Sequence, residues 1–173
     1  MLVGSALSLS GAAYQGVFKN PLVAPDLLGV SSGACVGASV AILLHLNSFG
    51  VQAMAFVAGI LAVGLTLFIP RLIKNTNMTM LVLSGIIVKG IMDSVMGIIK
   101  YVADPETELQ SITYWQLGSL TKVLPKDLFT VGPVIVAASV IIFLLRWRIN
   151  ILSLGDREAK TLAFQLQLFE TLL

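Results

Sequence analysis

The chain has 173 residues, of which 57% are hydrophobic and only 12% charged, with a formal net charge of +2. A soluble domain carries roughly 25% charged residues, so too little polar surface is encoded here to cover a particle in water, and the solvent must be lipid. The small net charge gives no ground for nucleic acid as a partner, and Cys35 and His45, each the sole residue of its type, exclude an internal disulfide and a Cys/His metal cluster.

A bilayer core about 30 Å thick takes roughly 20 apolar residues as helix, with about 17 as the lower limit. Five stretches reach that length. Leu2–Phe18 carries no charge, and Val30–Leu46 is short and uncharged unless His45 protonates. Phe49–Pro70 is uncharged throughout, Met78–Ile99 contains Lys89 and Asp93, and Leu128–Leu145 is again uncharged. Helices are expected because each backbone group must be satisfied within its own segment, and the alternation of barrel strands is missing. The predicted fold is all-α: a polytopic membrane bundle of about five spans over residues 1–149, with an external connection at 101–127 and a cytoplasmic segment at 150–173.

The first connection is short and fixed by Pro21 and Pro25, and Ser31 or Ser32 can cap the helix that follows the Pro25-Asp26 turn. Gly29, Gly33 and Gly37 recur at four-residue spacing. A stripe of small residues lets helix backbones approach closely, which drives packing where lipid offers no hydrophobic gain. Cys35, within the same segment, reads as a small buried residue.

Lys89 and Asp93 lie four apart and share a helix face. A charge at the bilayer centre costs about 2.5–3.5 kcal/mol on insertion scales and faces a partner or a cavity. Three readings stay open: a mutual ion pair, the lining of a polar translocation path, and proton coupling. In the connection Tyr101–Asp127, Leu109, Ile112 and Trp115 have helical spacing, and Tyr114 and Trp115 suit a wet interface. A short external helix lying against the bundle is expected there, as an interfacial anchor or as a landing site for a delivery protein.

The basic residues set orientation. Lys19, Arg71, Lys74, Arg146, Arg148, Arg157 and Lys160 fall in alternate connections and the tail, against Lys100, Lys122 and Lys126 on the other side. The positive-inside rule puts the first group in the cytoplasm. Met1 then lies outside without a basic leader region, and a helix is expected upstream; the chain reads as a piece of a larger polytopic protein. In the tail, Gly155 breaks the preceding segment and Asp156 caps a helix with Ala159, Leu162, Ala163 and Leu166 on its apolar side and Arg157, Glu158 and Lys160 opposite. Such a helix rests on the membrane surface or docks in a partner's groove. No phosphate-binding loop, nucleophile–base pair or metal cluster is legible, so no catalytic, cofactor or metal residue is assigned.

Three ordered blocks resemble the FecCD/BtuC-type permeases, the membrane subunits of ABC importers for iron-siderophores, haem and cobalamin. The first is Gly11–Ala34, in which Gln15, Asn20, Pro21, Leu22, Pro25, Leu28, Gly29, Gly33 and Ala34 fit the family pattern. The second runs from Leu81-Val-Leu-Ser-Gly-Ile through Lys100-Tyr-Val-Ala-Asp-Pro to Tyr114-Trp-Gln-Leu-Gly-Ser, in the variant found among iron-siderophore importers. The third, Asn150-Ile-Leu-Ser-Leu-Gly-Asp-Arg-Glu-Ala, resembles the cytoplasmic loop that contacts the ATPase. The family's Arg-Leu-Pro-Arg element before the second helix is missing, and Phe164–Leu173 lacks its Leu-Gly-hydrophobic-Pro element.

The resemblance implies that the chain holds the second to sixth of about ten helices. It also implies alternating access in a permease dimer, homo- or heteromeric, of the cytoplasmic membrane. Its partners would be separate ATPase subunits and an extracytoplasmic binding protein, and its cargo an iron chelate. Leu154, Gly155, Asp156, Arg157, Glu158, Ala159 and Leu162 become candidates for ATPase coupling, and Lys89 and Asp93 for the translocation path. The rival readings are an ion-coupled carrier using Lys89 and Asp93, and a non-transporting membrane fragment.

Overall fold

The computed structural model describes residues 1–21, 23–74, 77–118 and 125–154, and every regular element among them is helical. The chain divides into two compact units, Met1–Pro25 with Leu124–Leu173, and Asp26–Val123.

The first unit holds α1 (Leu2–Phe18), α6 (Pro125–Leu144) and α7 (Arg146–Leu154), with α1 packed against both of the others. α1 ends where Lys19 turns left-handed at φ 50°. The Lys19 amide then donates to the Gly16 carbonyl and the Asn20 amide to the Gln15 carbonyl, closing the helix as a Schellman motif. The Gln15 side chain extends the closure by donating from Nε2 to the Pro21 carbonyl at 2.9 Å. The Ile149 amide bonds the Leu145 carbonyl, and the Leu145 amide that of Ile141, so α7 continues α6 almost without a break. Arg146 covers the Phe143 ring at 4.1 Å, a cation–π contact at this junction.

The second unit holds a 3-10 turn (Pro25–Leu28, of which Pro25 belongs to the first unit), α2 (Val30–Leu43), α3 (Ser48–Leu72), α4 (Met78–Val102) and α5 (Glu108–Leu117). α3 begins at an Asn47 cap whose Oδ1 accepts from the Gly50 amide at 2.8 Å. α3 and α4 have 25 residues each, and by length and composition both can cross a membrane. At 1.5 Å per residue each is about 37 Å long.

The packing inside this unit inverts that of a soluble protein. Many of its buried side chains are small or hydroxylated, among them Ala38, Ala41, Ala55, Ala62, Ser39, Thr66 and Ser84, while the larger buried ones are Leu28, Val88, Met96, Ile99 and Ile112. The large apolar ones point outward, including Phe56, Ile60, Leu61 and Phe68 on α3 and Ile86, Ile91 and Ile98 on α4. Gly33 and Gly37 of α2 lie against α3 so closely that a Cβ at Gly33 would stand 2.9 Å from the Ala58 carbonyl oxygen, and one at Gly37 would collide with that of Met54. Close backbone approach between small residues is how helices associate in lipid, while the outward apolar faces meet acyl chains.

α2 has 14 residues and stops at Leu43 rather than Leu46, because His45 turns left-handed at φ 52° and the Leu46 amide bonds back to the Ala41 carbonyl. Its length of about 21 Å is short for a bilayer core. The expected serine cap is not formed. Gly29 is the N-cap, at φ 75°, and Ser31 and Ser32 sit inside the first turn.

α5 folds back on α2. Ile112 is fully buried among Met96, Ile99 and Ala103, with Leu109 packed at the edge, whereas Trp115 stays 37% exposed. Asp104 sets the turn before α5, its Oδ1 accepting from the amides of Glu106 and Thr107 and from the Thr107 hydroxyl. Glu108 reaches back to the Asp104 amide. These bonds satisfy donors that a helix start leaves open.

Candidate functional site

The turn before α2 lies deep between its neighbours. The Leu28 carbonyl accepts from the buried Thr66 hydroxyl of α3 at 3.0 Å. Leu27 presses its carbonyl on Gly85 of α4, where an added Cβ would collide with that oxygen. Thr66 lies about 9 Å before the end of α3, and Gly85 about 10 Å past the start of α4, at 1.5 Å per residue. The turn is therefore re-entrant: its backbone sits at the depth of the helices rather than at their ends. Irregular backbone survives at such depth only when protein satisfies it. The Thr66 hydroxyl, the bond from the Gly29 amide to the Asp26 carbonyl and the left-handed Gly29 meet that demand.

Re-entry brings Asp26 to Lys89. The Lys89 ammonium stands 3.7 Å from Asp26 Oδ2, and both side chains are about half exposed, at 51% and 47%. Of the three readings left open for Lys89 and Asp93, the mutual ion pair is not formed. Lys89 pairs with Asp26 instead, because Gly85 lets the turn approach α4 one helical turn before Lys89. Asp93 is exposed and, among the described residues, makes no hydrogen bond or ion pair. Sequence reasoning missed Asp26 as a partner. The available signal was a lysine inside a span, which needs a counter-ion, beside a short loop holding an acid.

The family-pattern residues each take up a structural task. Gln15 and Asn20 close α1, and Gln15 also holds the Pro21 carbonyl. The Pro25 ring lies beside Gly11, Gly29 starts α2 and Gly33 admits α3. Leu154 is the last residue of α7. Gly155, Asp156, Arg157, Glu158, Ala159 and Leu162 lie outside the described residues, as does Leu22. No group of three or more His, Cys, Asp or Glu among the described residues is placed to hold a metal.

A second feature is a cleft of about 650 Å³ between the start of α3 and α5, lined by Ser48, Gln52, Ser111, Tyr114 and Trp115 among others. The buried Oε1 of Gln52 has no hydrogen-bond partner among the described residues.

The sequence pattern of the FecCD transport family matches residues 1–173. The chain belongs to the FecCD transport family. A probable iron chelatin transport system permease protein of Helicobacter pylori (strain 26695) is 38% identical over 172 residues, covering 99% of this chain and 52% of its own. The molybdate import system permease protein MolB of Haemophilus influenzae is 34% identical, covering 96% of this chain and 49% of its own. The vitamin B12 import system permease protein BtuC of Citrobacter koseri is 34% identical, covering 100% and 52%. This FecCD chain thus spans about half the length of these curated relatives. A solved structure described as an inward-facing conformation of a metal-chelate type ABC transporter superposes with a TM-score of 0.84 at 33% identity, over 94% of this chain and 52% of that one. The all-α permease fold follows from that likeness.

Proposed function

We propose that this chain is part of the membrane permease of an ABC importer that carries a metal chelate, most simply an iron chelate, across the cytoplasmic membrane by alternating access. The observation that carries the reading is the family match over the whole chain together with the likeness to a metal-chelate transporter. The packing between α2 and α3 supports a lipid setting, since large apolar side chains point outward from a seam of glycine, alanine, serine and threonine. The iron chelate is favoured over molybdate and cobalamin by the Helicobacter relative at 38% identity and by the resemblance of the block that runs from Leu81-Val-Leu-Ser-Gly-Ile through Lys100-Tyr-Val-Ala-Asp-Pro to Tyr114-Trp-Gln-Leu-Gly-Ser.

In this reading Lys89 and Asp93 face the translocation path, because exposed charges on an otherwise apolar helix demand water or a polar cargo. A separate ATPase pair hydrolyses ATP and grips the segment from Leu154 through Leu162. An extracytoplasmic binding protein delivers cargo, and a second permease subunit completes the pathway.

The test is uptake by the complete transporter in proteoliposomes. We expect accumulation of a ferric chelate that needs ATP on the ATPase side and survives a protonophore. Uptake that ignores ATP and collapses with the proton gradient would replace this reading by an ion-coupled carrier.

A further inference from the structure

We propose that Lys89 exchanges its counter-ion during the transport cycle, holding Asp26 in the inward-open state and Asp93 in the outward-open state. The inference rests on the permease reading above and adds a conformational device to it.

Three observations carry it. The first is the looseness of the present pair. At 3.7 Å the Lys89–Asp26 contact is well beyond the roughly 2.7–2.9 Å of a tight charge-assisted hydrogen bond, and both side chains are half exposed. A lysine is a point charge on a flexible four-carbon stem, so it can swing without moving the backbone.

The second is the second acid. Asp93 lies four residues on, along the same face of α4, and has no hydrogen bond or ion pair among the described residues. Lys100, in the last turn of α4, donates to Gln116 of α5, so Lys89 is the cation one helical turn from Asp93 and in contact with Asp26. Whichever is chosen, the other is left over, and a small bias decides between them.

The third is how the turn is hung. Among the described residues its only hydrogen bond to another helix runs to Thr66 of α3. Toward α4 it offers the Leu27 carbonyl in van der Waals contact with Gly85, a smooth backbone surface, and the loose ion pair. If α3 and α4 slide against one another, the hydrogen bond keeps the turn with α3. Asp26 then leaves Lys89, while Asp93 rides with the lysine on α4. One solved structure that this chain resembles is described as inward-facing, and the Asp26 pairing is accordingly proposed for the inward-open state.

State-dependent double-mutant cycles in the complete purified transporter test the exchange, with the thermal midpoint measured nucleotide-free and again trapped with ATP on hydrolysis-deficient ATPase subunits. We expect Asp26→Asn and Lys89→Gln to be non-additive without nucleotide and additive when ATP is trapped. Asp93→Asn and Lys89→Gln should show the reverse. Each lost pairing should lower the midpoint by about 2–4 °C. Where Lys89→Gln does not assemble, the single variants decide: Asp26→Asn lowers the midpoint only without nucleotide, and Asp93→Asn only with ATP trapped. Coupling to Asp26 in both states, or to Asp93 in neither, would overturn the exchange. ATP-dependent uptake by the unmodified transporter is measured alongside. Its absence would defeat the permease reading itself, whereas normal uptake with an unchanging partner would defeat only the exchange.

Discussion

The seam between α2 and α3 and the cluster under α5 are both buried, yet they are built from opposite materials. At the seam, Gly33 and Gly37 meet Ala58, Ala62 and the Met54 carbonyl, and hardly any apolar bulk is enclosed. Under α5, Ile112 is fully buried against Met96, Ile99 and Ala103, much as in a water-soluble core. The difference follows from the solvent. Where lipid surrounds the helices, burying a large apolar side chain gains little and close backbone contact gains most. If α5 lies at the water-facing end of the bundle, as the proposed topology has it, each methylene buried there contributes roughly 0.8 kcal/mol. One chain therefore uses two packing rules a few turns apart.

Gly37→Val would break the seam most severely. Its Cβ alone collides with backbone at Met54 and with the Ala58 side chain, and neither can move without shifting α3. Overpacking costs about 1–3 kcal/mol, occasionally more, and with a rigid backbone partner the upper end is expected. The check is the yield of monodisperse full-length permease on size-exclusion chromatography, which should fall to near zero.

Ile112→Ala should come next, at about 2–4 kcal/mol for a truncated core isoleucine. The loss should be local: amide exchange should accelerate along α5 while the amides of α2 and α3 keep their protection. Acceleration across the whole second unit would mean that cluster and seam are one cooperative body rather than two regimes.

Thr66→Val probes the smallest element, a single hydroxyl. Removing its bond to the Leu28 carbonyl leaves a buried acceptor unpaired, worth about 1–3 kcal/mol. Ser84→Ala is the control, because the Ser84 hydroxyl only bonds back to Met80 on its own helix and its loss should cost under about 0.5 kcal/mol. Equal shifts in thermal midpoint for the two variants would remove the special role given to Thr66.

The helical composition of the fold was legible because lipid writes it plainly: long uncharged stretches mark helices regardless of detail. α1 has the limits of the first apolar stretch, Leu2–Phe18. Helix ends were less legible. α4 runs on to Val102 past Ile99, since Lys100 lowers hydropathy without breaking a helix, and α2 ends early through the backbone of His45. The continuation of α6 into α7 was hidden by the polar pair Arg146 and Arg148. For the candidate site, the sequence displayed Lys89 and Asp93 but not Asp26 beside them. That contact depends on Gly85 lacking a Cβ and on Thr66 offering a hydroxyl, residues 59 and 40 positions away from Asp26 and unremarkable in their own segments.

The most direct measurement places the two ends of α4 on opposite sides of a membrane, as the two packing rules require. Single cysteines at Lys74, before α4, and at Glu106, before α5, are introduced into the full-length permease with Cys35→Ala, and intact cells are treated with an impermeant thiol reagent. We expect labelling of Glu106→Cys from outside, and of Lys74→Cys only after the membrane is permeabilised. Labelling of both positions in intact cells, or of Lys74→Cys alone, would contradict the placement of α5 as the outer cap of a membrane-embedded seam.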